Sequence, residues 1–385
     1  MDLKFVWLLL ANVLFILLIR FTRNRKKLNG ILTVLFTTLI TLTVIEGAYR
    51  IFFKKRGFSE TGNFGASFNT PVELTGFTIK NIPDLEVIKK DPKGNLIYDA
   101  HYSIIPDSGF NKLPINHRTG YRVTNSPRDS TEIIFLGCSF TFATGIPDTA
   151  TMAYLVGKEY NYNSLNYGGS GFGTHQVYQI FKHKYLQVTD KKKRIFVYTF
   201  IPDHLLRAKC IYSWCLNDPY FEVKDDTLSL LGPAYKHTSS ARSQVLVRLF
   251  SLNRSLSLVS DLGNNIVQAT GAAGVNDNDY KRIEIMLGEI NNTIQQRGDE
   301  FIVLHWDDYK GLQNPKGGYY LSVDKINALL SRLTEHGAHS INVSSFFNFT
   351  DSTNLIPQDN HPSIKGNALM AARVGEIIRN AGIKK

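Results

Sequence analysis

The stretch Ile133-Ile-Phe-Leu-Gly-Cys-Ser-Phe-Thr-Phe142 decides how the chain is read. Four consecutive apolar residues, Ile133 to Leu136, ended by Gly137, suit a strand buried on both faces. The small residues after it suit a strand-to-helix corner that holds a hydroxyl above the sheet edge. Backbone N–H groups at such a helix start are unpaired and carry partial positive charge, so they suit an oxyanion. Ser139 is therefore the candidate nucleophile; the plain alternative is an ordinary turn serine. Cys138 is chemically the stronger nucleophile. As the neighbour of Ser139 at a strand end it is expected to point the other way, into packing, as small buried cysteines do.

Support comes from the far end of the chain. Asp359-Asn-His-Pro-Ser363, followed by Gly366-Asn367, precedes a last amphipathic pattern of Ala368, Leu369, Ala372, Val374, Ile377 and Ile378. In an extended segment, residues two apart project to one side. Asp359 would then hold one ring nitrogen of His361 while the other faces a serine hydroxyl, as a nucleophilic triad requires. The alternative is that Asp359 caps the helix and His361 sits in a surface loop. A block after the first strand and a block before the last helix together favour a single site. The Gly-x-Ser-x-Gly elbow of α/β-hydrolases is not met, because Thr141 stands at its fifth position.

On these residues the chain, over roughly 130 to 382, resembles the SGNH/GDSL hydrolase superfamily of esterases and acyl-transfer enzymes. Gly137-Cys138-Ser139 stands where that family has Gly-Asp-Ser, and Asp359 to Pro362 matches its Asp-x-His-Pro block. The family places an oxyanion glycine five residues after an asparagine that ends the second strand. Asn166-Tyr-Gly-Gly-Ser-Gly171 fits that spacing, so the resemblance implies Gly171 as a donor beside Ser139. The third block departs: Phe200-Ile-Pro-Asp203-His204 lacks the usual asparagine, which leaves one oxyanion donor unassigned. The resemblance implies a flavodoxin-like three-layer α/β/α sandwich with a parallel sheet of about five strands.

Periodicity agrees with that architecture. Strands are expected near 132–137, 163–167, 194–200, 301–305 and 339–343, and helices near 148–160, 174–187, 278–297, 322–336 and 364–381. Such alternation implies a parallel sheet covered on both faces, with its ligand at the carboxyl ends of the strands. Ser139, Gly171, Asp203 and His361 all follow predicted strands. Asp203 and His204 are candidate substrate-binding residues, or Asp203 caps the next helix. Gly168-Gly-Ser-Gly-Phe-Gly173 lacks the spacing and the later acidic residue of a dinucleotide loop. Lys191-Lys-Lys-Arg194 reads as a solvated loop.

The net charge of +11 would suggest nucleic acid if it were spread over the chain. Residues 1–56 hold ten Lys/Arg against Asp2 and Glu46, whereas the remainder carries 34 basic and 31 acidic groups. A nucleic-acid partner therefore loses its support. The N-terminal charges flank two apolar stretches, Phe5 to Ile19 and Leu28 to Ile45, each near the roughly 17–20 residues a spanning helix needs. Two transmembrane helices are expected over residues 1–56, giving a multi-pass chain with the lipid bilayer as partner. Arg20-Phe-Thr-Arg-Asn-Arg-Lys-Lys27 would be cytoplasmic by the positive-inside rule, placing everything after residue 56 outside.

Residues 57–130 read as a loop-rich, partly β collar, with apolar runs such as Leu85 to Ile88. Within it, His117 and Arg118 read as turn residues or as groups facing the site. Residues 131–385 form the expected catalytic domain, interrupted at about 208–275 by an insertion placed to act as a lid or substrate wall. That insertion holds a hairpin pattern turning at Asp225-Asp226 and a helical run from Gln244 to Leu262. Cys210 and Cys215 form either a small disulfide loop or two thiols. No Cys/His spacing suggests a metal, and no cofactor is expected.

The chemistry expected is a serine-dependent ester hydrolase acting on O-acyl (acetyl) esters of a cell-envelope glycan, with a lipid ester as second choice. Water as acceptor makes an esterase; a sugar hydroxyl makes an O-acyltransferase. The departures at Cys138 and in the third block keep a non-catalytic envelope glycan-binding or assembly protein as the other class.

Overall fold

The computed structural model describes residues 3–22, 24–48, 59–63, 84–91, 93–106, 120–122, 124, 131–185, 192–210, 218–237, 275–306 and 321–380. It divides into two compact units, one holding the N-terminal helices and the other the sheet.

The first unit contains α1 (Leu3–Phe21) and α2 (Lys26–Ala48). Among the described residues α2 alone is long and apolar enough to cross a bilayer, with a mean hydropathy of 2.0; α1 supplies a shorter apolar piece, Asn12–Phe21. The expectation of two spanning helices is thus supported for one. Threonines are tolerated in so apolar a helix because each hydroxyl can be satisfied internally. Thr33, Thr37, Thr38, Thr41 and Thr43 donate to the carbonyls of Asn29, Thr33, Val34, Thr37 and Leu39. Asn12 Nδ2 donates across to Thr43 Oγ1 at 2.9 Å, a buried polar contact of the kind that joins helices in lipid.

Among the described residues, the second unit is built on a nine-stranded sheet. Its parallel part comprises β5 (Glu132–Leu136), β6 (Asn163–Asn166), β7 (Arg194–Phe200), β10 (Glu300–His305) and β11 (His339–Asn342). Their order is β6-β5-β7-β10-β11, the 2-1-3-4-5 sequence of a doubly wound sheet. All seven residues of β7 are buried, as a strand covered on both faces requires.

Helices α4 (Met152–Tyr160) and α9 (Ile364–Asn380) pack together. Helix α5 (Thr174–Lys184) packs on α7 (Asp277–Gln296), which also meets α8 (Val323–Glu335). The helix expected from residue 148 is broken at Thr151. That side chain accepts from the Tyr154 amide and caps α4, leaving a single 3₁₀ turn over Asp148–Ala150 before it.

The stretch read as a collar contributes four antiparallel strands to the same sheet: β1 (Ser59–Asn63), β2 (Asp84–Lys90), β3 (Leu96–Pro106) and β4 (Gly120–Arg122). The join runs through Arg122, paired with Ile104 on one side and Asn166 on the other. A separate hairpin, β8 (Pro219–Lys224) and β9 (Thr227–Pro233), turns at Asp225 and Asp226, both at positive φ as a type I′ turn demands. His117, Arg118, Cys215 and the 244–262 helical run lie outside the described residues.

Candidate active site

Strand β5 ends at Leu136, and Gly137 turns the chain with φ +146°, a conformation closed to residues with a side chain. A Cβ there would also lie 2.3 Å from Thr141 Oγ1. The turn opens α3 (Ser139–Phe142), a single helical turn that ends in a left-handed Ala143. Cys138 is extended and fully buried, and burial pushes its thiol pKa up, so the sulfur is held protonated inside the core. Ser139 faces the opposite way.

A charge not singled out from the sequence holds this corner from below. Arg122 is buried and donates to the carbonyl oxygens of Phe142, Ala143 (2.8 Å) and Ile146, with its Nε on Asp148. The guanidinium thereby ties the end of this short helix to the turn after it, adding to the bond from the Ile146 amide to the Ala143 carbonyl at 3.2 Å.

The second half of the site lies before α9. The Leu355–Pro362 bridge and the bond from the Ile356 amide to the His361 carbonyl close a tight loop. Asp359 and His361 are not two residues of an extended run. Gln358 and Asn360 are both at positive φ, and the turn at Asn360 brings the two side chains together. Asparagine tolerates this region, which is why a turn could replace the extended geometry. Asn367, fully buried at the start of α9, anchors the loop: it donates to Pro362 and Ser363 and accepts from the Met152 amide.

The structure joins three of the expected residues in one hydrogen-bonded line. His361 Nε2 lies 2.8 Å from Ser139 Oγ, and His361 Nδ1 is bonded to Asp359 Oδ1. The Asp359 side chain is fully buried, His361 is partly exposed, and Ser139 is 6% exposed. Burial alone would raise the Asp359 pKa. The bond and charge of His361, and then those of Lys89, outweigh it and hold the carboxyl down to about 2. The Phe140 ring packs on His361 at a centroid distance of 5.1 Å and edge-on to Trp306 at 4.9 Å, which fixes the imidazole from the apolar side.

Gly171 follows β6, in the loop that Asn166 begins. Asn166 is committed to that loop, donating to Thr141 O and accepting from the Gly168 amide at 3.0 Å. The amides of Ser139 and Gly171 have no protein acceptor among the described residues. The loop is tied down by Arg207, which donates to Phe172 O at 2.8 Å and pairs with Asp203 at 2.6 Å.

Asp203 is thus the first residue of α6 (Asp203–Ala208), facing Arg207 one turn on. His204 is wholly buried, with Nδ1 2.8 Å from the Tyr198 hydroxyl. Burial first, then Arg207 and His175, lower its pKa well below the usual histidine range, so it is neutral. Neither side chain joins the Ser139 line.

No family model and no curated protein matches the chain, but solved structures do. One is a member of the lipolytic protein G-D-S-L family from Veillonella parvula, 16% identical, covering 65% of this chain and 98% of that one, with a TM-score of 0.37. Another is a carbohydrate esterase family 2 enzyme with a carbohydrate-binding domain from Corynascus thermopiles, 12% identical over 68% and 69%, with a TM-score of 0.35. A third is a lipase/acylhydrolase from Enterococcus faecalis, 11% identical over 65% and 96%, with a TM-score of 0.32. The chain is similar to these proteins. Likeness at this level says nothing of its activity, which must come from the side chains.

Proposed function

We propose that the protein is a serine-dependent ester hydrolase of the SGNH/GDSL kind, acting on O-acyl esters, acetyl esters of a cell-envelope glycan foremost. The observation that carries this reading is the unbroken line Asp359–His361–Ser139, assembled at the carboxyl edge of the sheet from blocks more than 200 residues apart. In the reaction His361 takes the Ser139 proton as Oγ attacks the ester carbonyl, forming a tetrahedral oxyanion. The unengaged amides of Ser139 and Gly171 are suited to receive that oxyanion, each such donor being worth about 2.7–4 kcal/mol in the transition state. His361 then protonates the leaving alcohol, and the acyl-enzyme is opened by water that His361 deprotonates. A sugar hydroxyl in place of water would make the same intermediate an acyl donor. Asp203 and Arg207 serve the Gly171 loop in this reading, and neither Asp203 nor His204 is given a substrate contact.

Residues 1–56 are proposed as a two-helix membrane anchor, with the basic Arg20–Lys27 turn in the cytoplasm and the sheet unit outside. The apolar α2 supports this. Residues 57–130 then serve as the collar, and 131–385 as the catalytic domain with its insertion. That location is what favours an envelope glycan over a soluble ester. The test is hydrolysis of p-nitrophenyl acetate by the detergent-solubilised full chain. Turnover lost in Ser139→Ala and His361→Ala, with unchanged melting, supports the reading; equal turnover in wild type and both variants contradicts it. Adding a deacetylated glycan acceptor then separates transfer from hydrolysis.

A further inference from the structure

We propose that Lys89, delivered by β2, is a positioning residue of this site, holding the Asp359 carboxylate in the orientation from which it serves His361. The proposal rests on the triad reading above and extends it to a strand that lies outside the parallel sheet.

The geometry divides the carboxylate between two partners. Oδ1 takes His361 Nδ1, with the His361 amide at 3.3 Å, while Oδ2 takes the Lys89 ammonium. With both oxygens engaged on different elements, the carboxylate cannot rotate without losing a charge-assisted bond. The Asp359 side chain is fully buried and that of Lys89 is 16% exposed, so the pair sits largely out of water, where truncating one partner strands the other.

The pairing beside this lysine is irregular. Lys89 pairs with Tyr98 and Lys90 with Leu96, so the extra residue, Ile97, lies in β3 opposite the lysine, a kind of irregularity found next to active sites. Lys90 is exposed to solvent, while Lys89 turns toward Asp359 with its ammonium 5.8 Å from the centroid of the Tyr98 ring on β3. The titratable groups set against Asp359 are Lys89 from β2 and His361 from its own loop, with Tyr98 behind the lysine.

A cation at Oδ2 does two things. It keeps the carboxylate from rotating away as His361 becomes an imidazolium, and it favours the charged form of Asp359. Without it, the Asp359 carboxyl takes up a proton at higher pH.

The test uses the full chain in detergent: wild type, Lys89→Met, Lys89→Arg, Asp359→Asn and the Lys89→Met/Asp359→Asn double variant. In Lys89→Met, kcat for p-nitrophenyl acetate is expected to fall about tenfold, equivalent to about 1.4 kcal/mol, with KM little changed. The acid limb of the pH–rate profile should move to higher pH, and Lys89→Arg should restore part of both. In the Asp359→Asn background, Lys89→Met should cost nothing further, as expected for a residue acting through Asp359.

A folded Lys89→Met with wild-type kcat and acid limb, or an equal loss in both backgrounds, overturns the proposal. A second readout needs no turnover: the pH dependence of His361 modification by diethyl pyrocarbonate, followed by mass spectrometry of its peptide. Its midpoint should rise in Lys89→Met, and an unchanged midpoint overturns the proposal. If Ser139→Ala hydrolyses as wild type does, the triad reading fails and this midpoint still decides the role of Lys89. If Lys89→Met does not fold, Lys89→Gln replaces it with the same expectations.

Discussion

At the residue scale, the Cys138 thiol and the Ser139 hydroxyl are separated by one step of the backbone. Cys138→Ala should keep turnover and Ser139→Ala should lose it, because the thiol is protonated and fully buried while the hydroxyl meets His361. Parallel assays of the two variants check this. Asp359 supplies a pH prediction. Its folded pKa is depressed from the ordinary aspartate value to about 2, so its contribution to stability is present above the unfolded value and is lost as pH falls through about 2. Asp359→Asn should therefore be less stable than wild type at pH 5 to 6. That gap should narrow by on the order of 2 kcal/mol toward pH 2, read from denaturant unfolding at each pH.

The three residues of the Asp359–His361–Ser139 line were legible in the sequence because each stands in a short block with its own local signature. Lys89 and Arg122 were not. Each acts on residues distant in the chain, and only the strand order brings β2 to the Asp359 loop and β4 beneath α3. A lysine in a collar strand carries no local mark of its partner. The burial of His204 was not legible for a related reason: position after a strand gives the edge of the sheet but not the direction of the side chain.

At the scale of elements, the corner between β5 and α3 depends on close backbone approach and on Arg122. A Cβ at Gly168 would lie 2.3 Å from the Phe142 amide nitrogen, so Gly168→Ala must push the Gly171 loop away from α3. The expected cost is about 1–3 kcal/mol in stability, together with a larger fractional loss of kcat than of binding. Thermal melts and steady-state kinetics on one preparation check both. Arg122→Met removes the guanidinium that the Phe142, Ala143 and Ile146 carbonyls and Asp148 share. It should destabilise by about 3–5 kcal/mol, as loss of one partner from a buried charged network does, read as a lowered unfolding midpoint.

The central strands β5, β7 and β10 follow the hydrophobic pattern closely, since burial on both faces writes itself as continuous apolar runs, whereas the four-residue β6 and β11 carry mostly polar residues. Residues 57–130 were harder to read. Their strands are antiparallel and range from the three residues of β4 to the eleven of β3, and their join to β6 through the single Arg122–Asn166 register leaves no pattern within any one segment.

At the scale of the whole molecule, an apolar N-terminal segment and the Asp359–His361–Ser139 line belong to one chain. In the proposed location the chain should remain in the membrane fraction after carbonate extraction. Its sheet unit should be cleaved by protease added to the outside of intact cells, and protection from such cleavage would reverse the assigned topology. The central claim, that Ser139 is an activated nucleophile, is tested most directly by covalent capture. The full chain would be treated with a fluorophosphonate ester and the modified peptide identified by mass spectrometry, for wild type beside Ser139→Ala and His361→Ala. The account predicts a single adduct on Ser139 in wild type and none in either variant. A folded wild-type chain that stays unlabelled, or one that labels equally without His361, would contradict it.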